Sequence, residues 1–336
     1  MDEQQPPSPK KILIIRLSSI GDIVMTTPVI RAVKEQMENV ELHFLTKKSN
    51  EQMVRSNPHI DKVHLYDTEN KKASALELVA EKFDFVVDLH NNHRSRQVVR
   101  MLGCENSAYH KAALKRDICV LLKINLLPDK HVVDRYFEAL YPLNVHNDHK
   151  GLEFHIPEGS DFDGDDLPMV FEDGFVAVVL AGVHATKRIP ASKVVEIGSI
   201  LHKPVMLLGG KDVQEVGEEV VAHLGDRAYN GCGKYSLFQS GSILRQADCV
   251  ITGDTGLMHI AAAFNKPMAV FWGNTIPEFG MYPYMPGHRE LFRNFEVCPL
   301  GCRPCSKLGR KSCPRKHFKC MNNIPATEVA DWVNQF

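Results

Sequence analysis

The chain has 336 residues, 44% of them apolar and 24% charged, with a net charge of −1. That size and balance fit a globular protein of two domains, and near-neutrality excludes capture of a polyanion by bulk electrostatics. No run approaches the ~18 consecutive apolar residues of a membrane-spanning helix.

The opening MDEQQPPSPK is polar and proline-rich and lacks the apolar stretch of a secretory signal. Residues 1–10 are expected to be a disordered lead-in, and the protein is expected in the cytoplasm. Lys11–Arg16 (KILIIR) then reads as a short buried strand, followed by a turn through Ser18, Ser19 and Gly21 and a helix over Asp22–Met37. Val40–Leu45, Val63–Tyr66 and Phe83–Leu89 read as further strands separated by polar helical stretches. A second start comes at Phe175–Leu180 (FVAVVL), with a loop to Arg188 and a helix led by Pro190 that sets Val194, Ile197 and Leu201 on one face. Val205–Leu208, Cys249–Thr252 and Met268–Trp272 follow as strands, with the helix Ser236–Gln246 among them.

Strand–helix alternation of this kind predicts parallel sheets with helices on both faces. Residues 144–173 have the Asp, Gly, Pro and His content of a linker. The expected fold is therefore α/β, two Rossmann-like domains facing each other across a cleft. An N-terminal domain over 11–150 is joined by a linker, 151–173, to a C-terminal domain over 174–325, and 326–336 form a terminal helix. Neither half carries G-x-G-x-x-G, so the dehydrogenase fingerprint is missing.

Three loops could carry chemistry. CVITGDTGLMHIAAA runs from strand to tight loop to small-residue helix. Gly253 and Gly256 let the backbone approach a ligand, and the new helix's free amides suit a phosphate or pyrophosphate. Asp254 or Thr255 can equally be a plain helix cap, while His259 falls one turn in, on the loop-facing side. Asp22, past the turn LSSIG, is either a cap or a carboxylate placed to take a proton from an attacking hydroxyl. In HATKRIP, Lys187 and Arg188 suit a leaving diphosphate or are an ordinary surface pair.

Together these stretches (RLSSIGDIVMTTPVIRAVKE, HATKRIP and ITGDTGLMHIAAAFNKPMAVFWG) resemble the lipopolysaccharide heptosyltransferases of glycosyltransferase family nine. The resemblance spans Lys11 to the terminal helix. It implies a GT-B fold and inverting, metal-independent transfer of heptose from an ADP-activated donor to an inner-core glycan. By its motifs Asp22 matches the base and Lys187 the lysine on the donor phosphates, with Thr186 beside it. Asp254, Thr255, Gly256 and His259 match the donor loop. The chain departs from the family at Ile189, where an aromatic is usual, and the glutamate that holds the donor ribose has no evident counterpart.

Two basic segments remain. Residues 90–130 hold eight Lys or Arg against three acids, either a solvated face or a patch that meets an anionic glycolipid acceptor and the inner membrane leaflet. Arg94 and Arg96, just past a strand end, are the acceptor candidates. Residues 298–320 hold seven Lys or Arg, no acid, and five cysteines. Cys302, Cys305, Cys313 and Cys320 could supply four thiolates to a structural zinc. Their irregular spacing leaves redox-sensitive free thiols as the alternative. No cofactor is expected for catalysis and no nucleic acid as partner. A nucleotide-sugar epimerase of the same fold, and a non-catalytic nucleotide-sugar-binding protein, are the competing functions.

Overall fold

A computed structural model describes residues 9–67, 71–164 and 167–336, except for the side chains of 71–75. The expected lead-in falls almost wholly outside the described residues, and Lys10 already belongs to a strand. The chain forms two compact units. One comprises the residues up to Lys111 with Val132–Lys150, the other Ala112–His131 with Gly151–Phe336.

The first unit is built on five parallel strands: β1 Lys10–Ile15, β2 Val40–Thr46, β3 Lys62–Leu65, β4 Phe85–Asp88 and β5 Glu105–Ala108. Their order is β3-β2-β1-β4-β5. Central β1 pairs β2 on one side and β4 on the other. With both sheet faces covered, its apolar run Ile12–Ile15 is wholly buried. Leu13 and Ile15 pack with Leu17, Leu45, Tyr66, Val86 and Val98. The helix expected over Asp22–Met37 is two, Ile20–Val24 and Thr27–Gln36. Pro28 opens the second, since its ring and missing N–H suit only a first turn.

The second unit carries β6 Val176–Val179, β7 Val205–Leu208, β8 Ala228–Asn230, β9 Cys249–Gly253, β10 Met268–Trp272 and β11 Phe292–Glu296. They form one parallel sheet ordered β11-β10-β9-β6-β7-β8. Val176, Val178 and Leu180 pack under Ile189, Val194, Ile197 and Leu201. The terminal helix Ala326–Val333 adds Val329, Ala330, Trp332 and Val333 to that core. β5 (ENSA), β8 and β11 escape the sequence reading because their residues show no apolar run or alternation to mark a strand.

Two stretches differ from the domain division read from sequence. Leu152, Phe154, Phe162 and Phe171 are buried, so the supposed linker packs into the second unit. Its described residues hold one short 3₁₀ turn and no strand. Residues 112–131, assigned to the first domain, also cluster with the second unit. Polar anchors account for this: Arg116 donates to Phe279 O at 2.8 Å, Lys123 to Pro304 O at 2.5 Å, and Lys307 pairs with Asp117 at 2.6 Å.

Candidate active site

In an open parallel sheet, ligands bind beyond the carboxyl ends of the strands where the strand order reverses. That switch point falls between β1 and β4 in the first unit and between β6 and β9 in the second. The candidate residues gather at these two places.

In the first unit, Arg16 leaves the end of β1 and ties the two strand-end loops together. Its guanidinium donates to Leu89 O beyond β4 and to Ser18 O at 2.9 Å, and pairs with Asp22 at 2.5 Å. It also lies 5.7 Å from the Tyr136 ring centre. Asp22 accepts from the Ser19 amide at 3.0 Å and from its hydroxyl at 2.7 Å. The capping role weighed from sequence is thus real, and it coexists with a place beyond the end of β1 at the switch point. Burial works against the charge on Asp22, but Arg16 and the Ser19 donors outweigh it and bring its pKa down to about 2.

Beyond β4, Asp88 shapes the facing loop by accepting from the His90 and Asn91 amides and from Ser95 Oγ. Burial, then Arg16 and Lys111, push His90 down to about 4, so the ring is neutral near pH 7. Lys111 is lowered by burial and next by Arg16. Arg96 donates to Asn91 Oδ1 at 2.9 Å and belongs to the same charged group as Lys111. Arg94 is exposed in the first turn of the helix His93–Leu102, where its amide satisfies the Asn92 cap.

In the second unit, the loops after β6, β9 and β10 converge. Lys187 Nζ lies 2.6 Å from Asp254 Oδ2, and Thr275 Oγ1 donates to the same oxygen at 2.9 Å. A Cβ at Gly253 would sit 2.3 Å from Lys187 O, and one at Gly273 would sit 2.9 Å from Thr186 O. Only glycine allows that approach. Thr255 caps the helix Gly256–Ala263 by accepting from the Met258 amide. His259 is buried one turn in.

Arg188 donates to Gly182 O at 2.7 Å and pairs with Asp212. Thr186 is buried, and its hydroxyl accepts from the Arg310 amide at 2.8 Å, so in this structure it secures the cysteine-rich segment. The segment is fastened more deeply by Arg303, which donates to Gly273 O, Thr275 O and Val297 O and pairs with Glu296. Thr275 is thereby held where its hydroxyl meets Asp254.

Cys302, Cys305, Cys313 and Cys320 are free thiols that feel one another. Burial, then its neighbours' negative charge, raises Cys305. Cys320 is raised to about 11 by burial, and Cys305, Cys313 and Cys302 add to that rise. No three of their sulfurs all lie within 4.8 Å of one another. Among the described residues, the group of metal-type side chains that close is His43, His64 and Glu81. There Glu81 is held by Lys62 and Lys11, and His43 bonds both His64 and Glu41.

The profile of glycosyltransferase family 9 (heptosyltransferase) matches residues 73–309. The chain belongs to that family. It is 25% identical to lipopolysaccharide heptosyltransferase 1 of Campylobacter coli, over 97% of this chain and 98% of that one. Its structure is similar to the ADP-heptose lipopolysaccharide heptosyltransferase II of E. coli, with a TM-score of 0.72, 18% identity and 97% and 98% of the chains covered. It is also similar to the iron-containing dodecameric glycosyltransferase TibC of enterotoxigenic E. coli, with a TM-score of 0.57, 15% identity and 98% and 76% covered. The fold is that of the GT-B heptosyltransferases. As a family 9 member, the chain is a glycosyltransferase.

Arg16, His90, Lys111, Thr275 and Arg303 were not singled out from sequence as site residues. A charged residue ending an apolar strand was the available signal for Arg16. The role of Arg303 went unseen because the carbonyls that tie it to the donor loop, those of Gly273 and Thr275, lie about thirty residues away.

Proposed function

We propose that this protein is an inverting heptosyltransferase that moves heptose from ADP-heptose to a lipopolysaccharide or lipooligosaccharide core, without a metal in the chemical step. The observation that supports this best is the pairing of Lys187 with Asp254 at the switch point of the second unit. A diphosphate there would exchange the Asp254 carboxylate for its own oxygens on the Lys187 ammonium, and meet the amides that open the helix Gly256–Ala263. As the bond to the sugar breaks, charge grows on the leaving diphosphate, and a fixed ammonium stabilises that growth.

Asp22 is the base in this reading. At a pKa of about 2 it is ionised under all working conditions, so a lone pair is always ready. It is also weak, and the proton would move late, once bonding to an oxocarbenium-like carbon has made the acceptor hydroxyl acidic. Arg96 and Lys111 supply positive charge near it for an anionic acceptor. Because the acceptor is a lipid, the protein would work in peripheral contact with the membrane.

The cysteine-rich segment would hold a structural metal. Four thiols, with Cys305 and Cys320 raised by burial, are a soft donor set suited to zinc or iron, and TibC is itself iron-containing. A cation would relieve their mutual repulsion and draw the sulfurs closer.

The direct test is incubation of purified protein with ADP-heptose and isolated core acceptor. ADP release that depends on acceptor, with a heptose-sized mass gain on it, is expected. Conversion of the donor alone to an epimer would overturn the reading.

A further inference from the structure

Helix Ala113–Leu122 of the second unit has one face that no part of the described chain covers. Leu114, Leu121 and Leu122 are 73%, 77% and 64% exposed, and Ile124 and Leu126 just beyond are 50% and 52% exposed. Leu114, Ile118, Leu121 and Leu122 follow the spacing i, i+4, i+7, i+8, a single stripe along the helix. Scattered surface leucines need no explanation. Five large apolar side chains within thirteen residues form a patch, and such patches mark docking surfaces.

The helix's other face explains why the stripe stays outward. Cys119 is buried, Arg116 is fixed on Phe279 O, and Lys123 reaches Pro304 O. Through Lys123, and through the Lys307–Asp117 pair, the cysteine-rich segment lies against this helix. It brings seven Lys or Arg and no acid, and all of these cations but the buried Arg303 are exposed. Leu308, beside Lys307, is 65% exposed. Lys115 flanks the stripe and is exposed too.

We propose that this helix and the adjoining cysteine-rich segment form the surface by which the protein lies on an anionic lipid bilayer. The proposal rests on the peripheral membrane contact inferred above and gives it a location. Charge complementarity selects the occupant. An apolar stripe bordered by cations matches a bilayer interface, where leucines enter the acyl boundary and ammonium groups meet phosphate headgroups. A second copy of this chain would bring one cationic segment against another. Ten helical residues span ~15 Å, half of a bilayer's apolar core, so the helix lies on the membrane rather than across it.

The test uses the full chain with vesicles of phosphatidylglycerol and phosphatidylethanolamine, and with neutral phosphatidylcholine vesicles. Wild-type protein should sediment with the anionic vesicles and much less with the neutral ones. Leu121→Asp with Leu122→Asp should reduce that binding at least 10-fold, and Lys311→Glu with Arg315→Glu should make it salt-insensitive and weak. Leu76→Asp, an exposed leucine elsewhere, should change nothing. All variants should keep wild-type melting temperature and turnover on a delipidated soluble acceptor. Leu122→Trp should give fluorescence that shifts to the blue on anionic vesicles. Wild-type-like vesicle binding by the Leu121/Leu122 variant would overturn this surface while leaving membrane contact intact. Failure of the wild type to bind anionic vesicles would remove the membrane contact as well. A dimer in solution that the Leu121/Leu122 variant abolishes, without lipid binding, would assign the patch to a second copy.

Discussion

Lys187 and Asp254, 67 positions apart in sequence, meet at 2.6 Å where the loops after β6 and β9 converge. Neither is more than one-fifth exposed. The lysine proposed to bind phosphate and the loop after β9 are thus held together by each other's charge.

That pairing makes a two-part prediction. Lys187→Ala should weaken ADP binding by about 10-fold or more and also lower the melting temperature by about 2–4 °C, because Asp254 is left without its cation. Adding Asp254→Asn should restore the melting temperature and leave ADP binding weak. Calorimetry and thermal unfolding read the two effects separately. Wild-type ADP affinity in Lys187→Ala would show that the phosphate site lies elsewhere.

For Asp22, replacement by Asn should cut turnover by ~10²–10⁴-fold with donor affinity unchanged. Its pH signature follows from the lowered pKa. A carboxylate held at about 2, against 3.8 in the unfolded chain, adds stability that is fully present above 3.8 and disappears as pH falls towards 2. Urea unfolding of the wild type and of Asp22→Asn should therefore differ most above about pH 4 and converge near pH 2. A constant difference across that window would mean the ion pair is not formed in solution.

Arg16 can be read through its neighbour. Burial and Arg16 together hold His90 near 4. In Arg16→Gln the His90 ring should titrate at higher pH, seen as a shifted imidazole C–H resonance, and Asp22 should lose its strongest favourable partner. The acid limb of the pH–rate profile should move upward with it. An unmoved His90 resonance would separate the two residues.

Gly253→Ala tests the close approach in the donor loop. Its Cβ would lie 2.3 Å from the Lys187 carbonyl, a backbone atom that cannot swing aside. The loops must part, at a stability cost of about 1–3 kcal/mol, and ADP affinity should fall with them. Gly301→Ala, where a Cβ meets nothing within 4 Å, is the matched control.

Elemental analysis should find about one zinc or iron per chain in protein purified without chelator. Alkylation of Cys302, Cys305, Cys313 and Cys320 should be slow until chelator is added. Brief chelation should spare the rate and lower the melting temperature. Loss of activity at once, restored by magnesium, would move the leaving-group charge from Lys187 to a divalent ion.

Much of this was legible in order along the chain. Buried parallel strands announce themselves as unbroken apolar runs, so β1, β4, β6, β7, β9 and β10 could be placed. Glycines and polar residues just past a strand end mark a loop on the binding edge, which is how Asp22, Lys187 and Asp254 came forward. Those signals are local, fixed by spacing and by what each residue type can bury.

Partnership is not local, and only tertiary structure decided it. Strand order puts β1 beside β4 and β6 beside β9, and that adjacency alone brings Arg16 to Leu89 and Lys187 to Asp254. The helix Ala113–Leu122 lies with the second unit because Arg116 and Lys123 find carbonyls there, and carbonyls carry no sequence identity to be recognised. Arg303 binds four backbone and side-chain oxygens from two loops for the same reason. A side chain's spacing can tell where it points along its own element; what it meets depends on which other element the fold places there.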